Sequence, residues 1–443
     1  MFWLLLALGC SDDDPAPVPP FTWTDTAVAS TWSSPLQFEG EVPHNVLMIS
    51  IDTLRKDALG VYGGPSPTPT LDRLVTEGVA LDDHMQCSSW TFASTTCTLA
   101  GRYPEDLRYM PRLTQDQDEV PQGTEFLATW MGQGGFTTLL QSPNAWLSER
   151  WGNAQGYDIV REDNGTALSM AREAYDELMA ESPDRWMLHV HLTEPHAPYN
   201  PPDSYLAGLD ELEPIDFDLS DRDIHYDVNG NDYWEQLDPQ MQALVLEHLK
   251  VRYAGDVAWL DSQLGTWLTE LDQAGALDDT LVVVWSDHGE AFFEHGHQTH
   301  AWELYPEENN AIAMFWAKGL QPVRWEGPTS AVDLVPTVLD LFGLPLPDEV
   351  TGLPLGAALP SRARFASVDA RAGVAQAVRK DDLLLHYTWS DGRLGLFDLS
   401  VDPGAHNDLY EIGHPDVDVL WPILLQRVQA LDPLVPSAPR LPI

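Results

Sequence analysis

The sequence predicts an α/β fold: a large, mainly parallel sheet between helices, followed by a small C-terminal antiparallel-sheet subdomain. Short, mostly apolar runs recur at 46–51, 136–141, 186–192, 281–286 and 311–316, the pattern of strands buried on both faces. Helical patterns at 70–79, 123–133, 165–180, 239–273 and 331–342 alternate with them, as parallel strand connections require. Beyond residue 345 the chain changes to short strand-like runs separated by turn signals.

Residues 2–8 (FWLLLAL) are apolar, far short of the ~20 residues that span a bilayer. They lead through Ala7-Leu8-Gly9 to Cys10, which resembles a bacterial lipoprotein processing site. The expectation is an exported outer-membrane or periplasmic lipoprotein, attached to the membrane by its lipid alone. The acidic, Pro-rich stretch 11–42 reads as a tether. A catalytic domain is expected over 43–345 and a second subdomain over 346–443.

The first strand, VLMISI, stops at Asp52, and the run LVVVWS stops at Asp287-His288-Gly289. In an open parallel sheet ligands gather at the C-terminal strand edge, so functional residues are expected at those tips. The helices at 239–273 and 331–342 end near Gly275 and Gly343. The segment 203–240, rich in Asp and Pro, reads as an insertion or lid. Strands at 364–368, 374–379, 382–388 and 394–399, with turns at Asp391-Gly392 and Asp402-Pro403-Gly404, precede a helix at 416–431.

Of 443 residues, 69 are Asp or Glu and 23 Lys or Arg, a net charge of −46. With 44% hydrophobic residues and 17 Trp, the chain is globular despite that charge. So anionic a surface repels phosphate backbones and anionic headgroups, which excludes nucleic acid as a partner and leaves divalent cations welcome. Apart from Cys10, only Cys87 and Cys97 remain. They are open between a pair in an oxidising compartment and two buried small hydrophobes, the latter being preferred.

Asp52, Asp287 and His288 bring two carboxylates and an imidazole to neighbouring strand tips. That donor set suits a divalent metal, Zn²⁺ or Mn²⁺ before Ca²⁺ or Mg²⁺, because the latter prefer all-oxygen shells.

Seven blocks carry a family resemblance: VLMISIDTLRKDALGVYG (46–63), PTLDRLVTEGV (69–79), SWTFASTTCTLAGRYP (89–104), HVHLTEPHAPYNPP (189–202), SDHGEAFFEHGHQTH (286–300), DLVPTVLDLFGLPLP (333–347) and LFDLSVDPGAHNDL (396–409). In order and spacing the set resembles the sulfatase family of the alkaline phosphatase superfamily. The resemblance implies an alkaline-phosphatase-like sandwich. It also implies a mononuclear or dinuclear metallohydrolase that breaks sulfate or phosphate esters through a covalent intermediate.

Carried over by residue, the resemblance makes Asp52, Asp287 and His288 metal ligands. Counting back ten from Gly101 lands on Thr91, which stands at the nucleophile position and is implied as both nucleophile and metal ligand. Neither Cys sits in the maturation pattern Cys-x-Pro-x-Arg, so formylglycine is not expected; Thr53 and Thr95 stand where the family often has a second acid and an Arg. A Thr ester must be cleaved by water, which makes phosphate esters as eligible as sulfate esters. His196 is implied as general acid, or with Glu194 as ligand to a second metal. His297 and His300 match positions near the leaving group.

His189 and His191 alternate with apolar residues on one strand and are set aside. Tyr253, Asp256 and Asp261 are read as packing beneath the site, and Trp90 and Trp302 as core. The expected activity is hydrolysis of a small-molecule, glycan or lipid ester. The alternatives are phosphotransfer to an envelope glycan or lipid, and a degenerate glycan-binding lipoprotein. Oligomeric state is not legible.

Overall fold

Eight strands form the central sheet: β1 Asn45–Ile51, β2 Val79–Leu81, β3 Thr137–Gln141, β4 Ile159–Arg161, β5 Trp186–Leu192, β6 Thr280–Ser286, β7 Ala313–Trp316 and β8 Val323–Trp325. Their order is β8-β2-β7-β6-β1-β5-β3-β4. Every pairing is parallel except those of β7, which runs against both neighbours. This computed structural model describes residues 34–113, 119–221, 231–357 and 361–435. The signal-type segment 1–10 with Cys10, and the tether as far as residue 33, lie outside the described residues. The remainder of the stretch read as tether packs onto the domain: Leu36 is buried and Phe38 bridges Leu320.

Helices α1 Pro69–Glu77, α2 Thr91–Ala100, α3 Leu127–Gln133, α4 Ala167–Ala180, α5 Pro239–Gln273 and α6 Leu334–Leu341 cover the sheet. Asp238 caps α5, its carboxylate accepting the N–H groups of Gln240 and Met241. Every residue of α2 is buried. The helix stops at Gly101, at φ 63°, where an added Cβ would meet Val335 at 3.1 Å; only glycine satisfies both the turn and the packing. Among the described residues no helix is long and apolar enough to cross a membrane.

The C-terminal subdomain is an antiparallel meander of β9 Ala363–Ala370, β10 Gly373–Lys380, β11 Leu383–Thr388 and β12 Arg393–Asp398, backed by α7 Pro415–Leu431. Buried polar contacts dock it onto the larger domain. Arg362 donates to both Asp333 oxygens at 2.8 and 2.7 Å. Ser367 Oγ and Gln376 Nε2 both donate to Glu105, at 2.6 and 2.7 Å. Such buried pairs hold the seating in place, since removing one partner would strand the other.

Candidate active site

The site begins in strand register. Ile51 on β1 pairs with Leu192 on β5 and with Ser286 on β6, so Asp52 and Asp287 leave the sheet side by side. Asp287 Oδ1 is pinned by the N–H groups of Thr53 (3.2 Å) and His288 (2.8 Å), while Oδ2 has no hydrogen-bond partner. Asp52 Oδ2 accepts from Asn144 Nδ2 at 2.7 Å, and its Oδ1 is likewise unpartnered. Thr53, between the tips, sits at φ 57°, a strained conformation for a β-branched residue. Tyr253 on α5 holds it there: the hydroxyl donates to the Thr53 carbonyl and accepts the Arg55 N–H, both at 2.8 Å.

His288 Nδ1 lies 2.9 Å from the Gly289 carbonyl. A carbonyl only accepts, so the proton is on Nδ1 and the Nε2 lone pair faces the cluster. Nε2 is 3.5 Å from Asp52 Oδ1, 3.6 Å from Asp287 Oδ2 and 3.4 Å from Thr91 Oγ1. Thr91 is the first residue of α2, with Trp90 at the N-cap; its hydroxyl faces the cluster, where an N-cap side chain would turn to the helix amides. The helix N-terminus beside it favours anionic groups.

A bound cation would relieve the electrostatics of the cluster. Burial would raise the Asp52 carboxyl, but the imidazoles of His196, His191 and His288 hold it down to about 2. Burial and then the Asp52 charge push Asp287 well above the carboxylate range. Burial pushes His288 below its ordinary value, against the Asp52 charge and the Gly289 carbonyl, which raise it. Two fully buried carboxylates with orphaned oxygens aimed at one point, flanked by an imidazole lone pair, fit a divalent cation.

The strand reading had set His191 aside, and the structure returns it. Its Nε2 is 3.6 Å from Asp52 Oδ2 and has no hydrogen-bond partner. Ligand atoms of Asp52, His191 and Asp287 all lie within 4.8 Å of one another. Among the described residues this is the one such group of three, and Glu194 is outside it.

A cavity of about 350 Å³ opens above the cluster. Thr91, Asn144, Trp146, His196, His300 and Arg371 line it. His196 uses Nδ1 on the Ala197 carbonyl at 2.6 Å. His300 lies 3.2 Å from Glu290 Oε1, with its ring 4.4 Å from that of His288 and 5.0 Å from that of His196. Burial and the neighbouring His288, His196 and Arg371 push His300 well below its ordinary value. His297 is elsewhere, stacked on Trp302 at 4.4 Å and absent from the cavity lining.

Trp90, read as core, is both buried and part of the cavity wall, where it meets Trp146 edge-on at 5.4 Å. Arg371, on the β9–β10 turn, escaped the sequence reading. Its backbone N–H donates to the Ala301 carbonyl and its Nη1 to Thr299 Oγ1, at 3.0 and 3.1 Å. None of the described residues of 203–240, expected as a lid, lines the cavity; the short helices Asp203–Tyr205 and Ala207–Glu211 lie along α5. A larger cleft of about 530 Å³, lined by Arg55, Lys56 and His406, holds none of the cluster. Cys87 and Cys97 are joined in a buried disulfide, which corrects the preferred reading of two separate buried thiols: the fold brings their Cα atoms to 6.6 Å, within bridging range.

Comparison with known proteins gives the family and the fold. The family model described as Sulfatase matches residues 44–344. The arylsulfatase of Clostridium perfringens (strain 13 / Type A) is 22% identical over 385 residues, 70% of this chain and 77% of that protein. The Bos taurus arylsulfatase K is 29% identical over 156 residues, covering 35% of this chain and 26% of that protein. The solved phosphonate monoester hydrolase of Silicibacter pomeroyi superposes with a TM-score of 0.67 at 21% identity, over 88% of this chain and 96% of that one. A protein solved with its substrate D-glucosamine-2-N,6-O-disulfate gives a TM-score of 0.68 at 16% identity, over 88% and 98%. With its sheet order, its paired strand-tip acids and a family match over most of its length, the chain belongs to the sulfatase family of the alkaline phosphatase superfamily, as a sulfatase-like ester hydrolase.

Proposed function

We propose that this protein hydrolyses a sulfate or phosphate ester through a covalent intermediate on Thr91. The observation that carries this is the 3.4 Å approach of Thr91 Oγ1 to His288 Nε2, which sets a hydroxyl at the edge of the cation-binding cluster. A divalent cation held by Asp52, Asp287, His288 and Thr91 would supply Lewis acidity, lowering the hydroxyl pKa and neutralising the ester's charge. Mixed oxygen and imidazole donors favour zinc or manganese over calcium or magnesium.

The remaining steps belong to the chain. Thr91 Oγ gives its proton to water and forms a bond to sulfur or phosphorus as the bond to the ester oxygen breaks; His196 gives that leaving oxygen its proton and takes one back from solvent. Water, giving a proton to His300 in its Glu290 contact, then bonds to sulfur or phosphorus as the bond to Thr91 Oγ breaks, and Thr91 Oγ takes a proton back from solvent. Arg371 holds a non-bridging oxygen or a second anionic group, and Trp146 offers a flat face to a ring in the organic half of a small-molecule, glycan or lipid ester. The Cys10 motif supports an exported, lipid-anchored protein.

The test is rapid quench with aryl sulfate and aryl phosphate substrates, followed by mass spectrometry of the peptide carrying Thr91. An adduct of one sulfo or phospho group on Thr91 is expected. Turnover with full activity in Thr91→Ala would overturn the assignment.

A further inference from the structure

We propose that His191 is an additional ligand of the cation, and that a buried chain running through Ser50 and His189 to Tyr157 fixes the tautomer in which it binds. The inference rests on reading the Asp52/Asp287/His288 cluster as a cation site. Its first support is register. Ser50 pairs with His191 across β1 and β5, and residues two apart share a face, so His189 and His191 both lean on Ser50.

Ser50 Oγ lies 2.8 Å from His191 Nδ1 and 2.8 Å from His189 Nε2. Tyr157 Oη lies 2.8 Å from His189 Nδ1. Ser50, His189 and His191 are wholly buried, so these bonds are not exchanged for water.

A serine hydroxyl carries one proton, and each neutral imidazole carries one. Because a hydroxyl oxygen can also accept twice, three arrangements satisfy all three contacts. In one, Tyr157 donates to His189, His189 to Ser50 and Ser50 to His191 Nδ1. The His191 proton then sits on Nε2, where the closest acceptor, Asp52 Oδ2, is 3.6 Å away and already takes the Asn144 amide. That leaves a buried N–H without a partner.

In a second, Tyr157 donates to His189 and both rings donate to Ser50, which accepts twice; His191 Nε2 is bare, and the Ser50 proton has no acceptor among these groups. In the third, every donor of the first reverses. His191 Nδ1–H donates to Ser50, Ser50 to His189 Nε2, and His189 Nδ1–H to Tyr157. Nε2 of His191 is then a bare lone pair beside Asp52 and Asp287, the form a metal requires. Ser50, His189 and Tyr157 are positioning residues that act through His191.

The test uses the full chain and cobalt(II) alone as the probe, with affinity measured by chelator competition and the melting temperature of each metal-free variant as the fold control. His191→Ala is expected to weaken cobalt binding by at least tenfold and to change its visible spectrum. Ser50→Ala and Tyr157→Phe are expected to weaken it by about tenfold, the lower end of the range for outer partners of a ligand, and Ser50→Thr to restore it.

Unchanged affinity and spectrum in His191→Ala would overturn the ligand. Loss in His191→Ala with none in Ser50→Ala or Tyr157→Phe would overturn the chain. If His191→Ala does not fold, wild type suffices: the cobalt form should show two exchangeable, paramagnetically shifted imidazole N–H resonances, for His288 and His191, and a single one rejects the proposal. No cobalt binding by wild type, or none lost in Asp287→Asn, would instead remove the cation site on which the inference rests.

Discussion

Thr91 and His288 meet at 3.4 Å, although one opens a buried helix and the other follows a strand tip nearly two hundred residues on. The second nitrogen of His288 is held by Gly289, so the contact presents a hydroxyl to a fixed lone pair. Thr91→Ala should therefore lower kcat/KM by ~10³-fold or more while leaving the melting temperature within a degree or two, because it removes the attacking atom and little packing. Thr91→Ser should keep activity within about tenfold of wild type. Equal loss in both variants would show that the side chain shapes the cavity rather than attacking.

Arg371 reaches the cavity from the C-terminal subdomain, in a pocket whose other titratable lining groups are Asp52, His196 and His300. A guanidinium that binds the substrate's charge equally in ground and transition states changes KM and spares kcat. Arg371→Ala should raise KM about tenfold, ~1.4 kcal/mol of binding, with kcat within threefold. The wild-type KM should also rise more steeply with salt than that of the variant. A fall in kcat at constant KM would contradict this assignment.

The disulfide ties the strand-to-helix loop at Cys87 to the middle of α2 at Cys97. A bridge closing ten residues should contribute about 2–3 kcal/mol, and here it also steadies the turn that presents Thr91. Reduction, or the double substitution Cys87→Ser with Cys97→Ser, should lower both the melting temperature and kcat. A reduced enzyme that melts lower yet turns over at the wild-type rate would confine the bridge to stability.

Much of this was legible in the sequence. Asp52 and Asp287 declared themselves because each ends an apolar run, and a parallel sheet puts such ends on one edge. The meander was legible because Asp391-Gly392 and Asp402-Pro403-Gly404 punctuate it. His191 was not, because β5 is buried on both faces and alternation alone does not say which face looks toward the cluster. Thr299 and Ala301 take φ values of 68° and 67°, so the chain around His300 bends in a way that no pattern announces, and His300 enters the cavity while His297 does not. Asn144 and Arg371 arrive from distant segments, and β2, β4 and β8 are three residues each, too short to show a period.

Asp256 on α5 supplies a pH test away from the cluster. Burial, and then the nearby Glu194 carboxylate, push it from 3.8 to about 8, although its Oδ2 accepts the Asn200 N–H at 2.9 Å. An acid whose folded-state pKa lies above its unfolded value holds its proton more tightly when folded. Its contribution to stability is therefore complete below about pH 3.8 and is lost as pH rises through about 8. Asparagine keeps the acceptor for Asn200 and never ionises. Asp256→Asn should thus gain on wild type by up to ~1.4 kcal/mol for each pH unit between about 3.8 and 8, on the order of 4 kcal/mol between pH 5 and pH 9, measured by urea unfolding. Parallel stability curves for the two proteins from pH 5 to 9 would show that Asp256 is ionised in the native state throughout, and that its burial is relieved by a group other than its own proton.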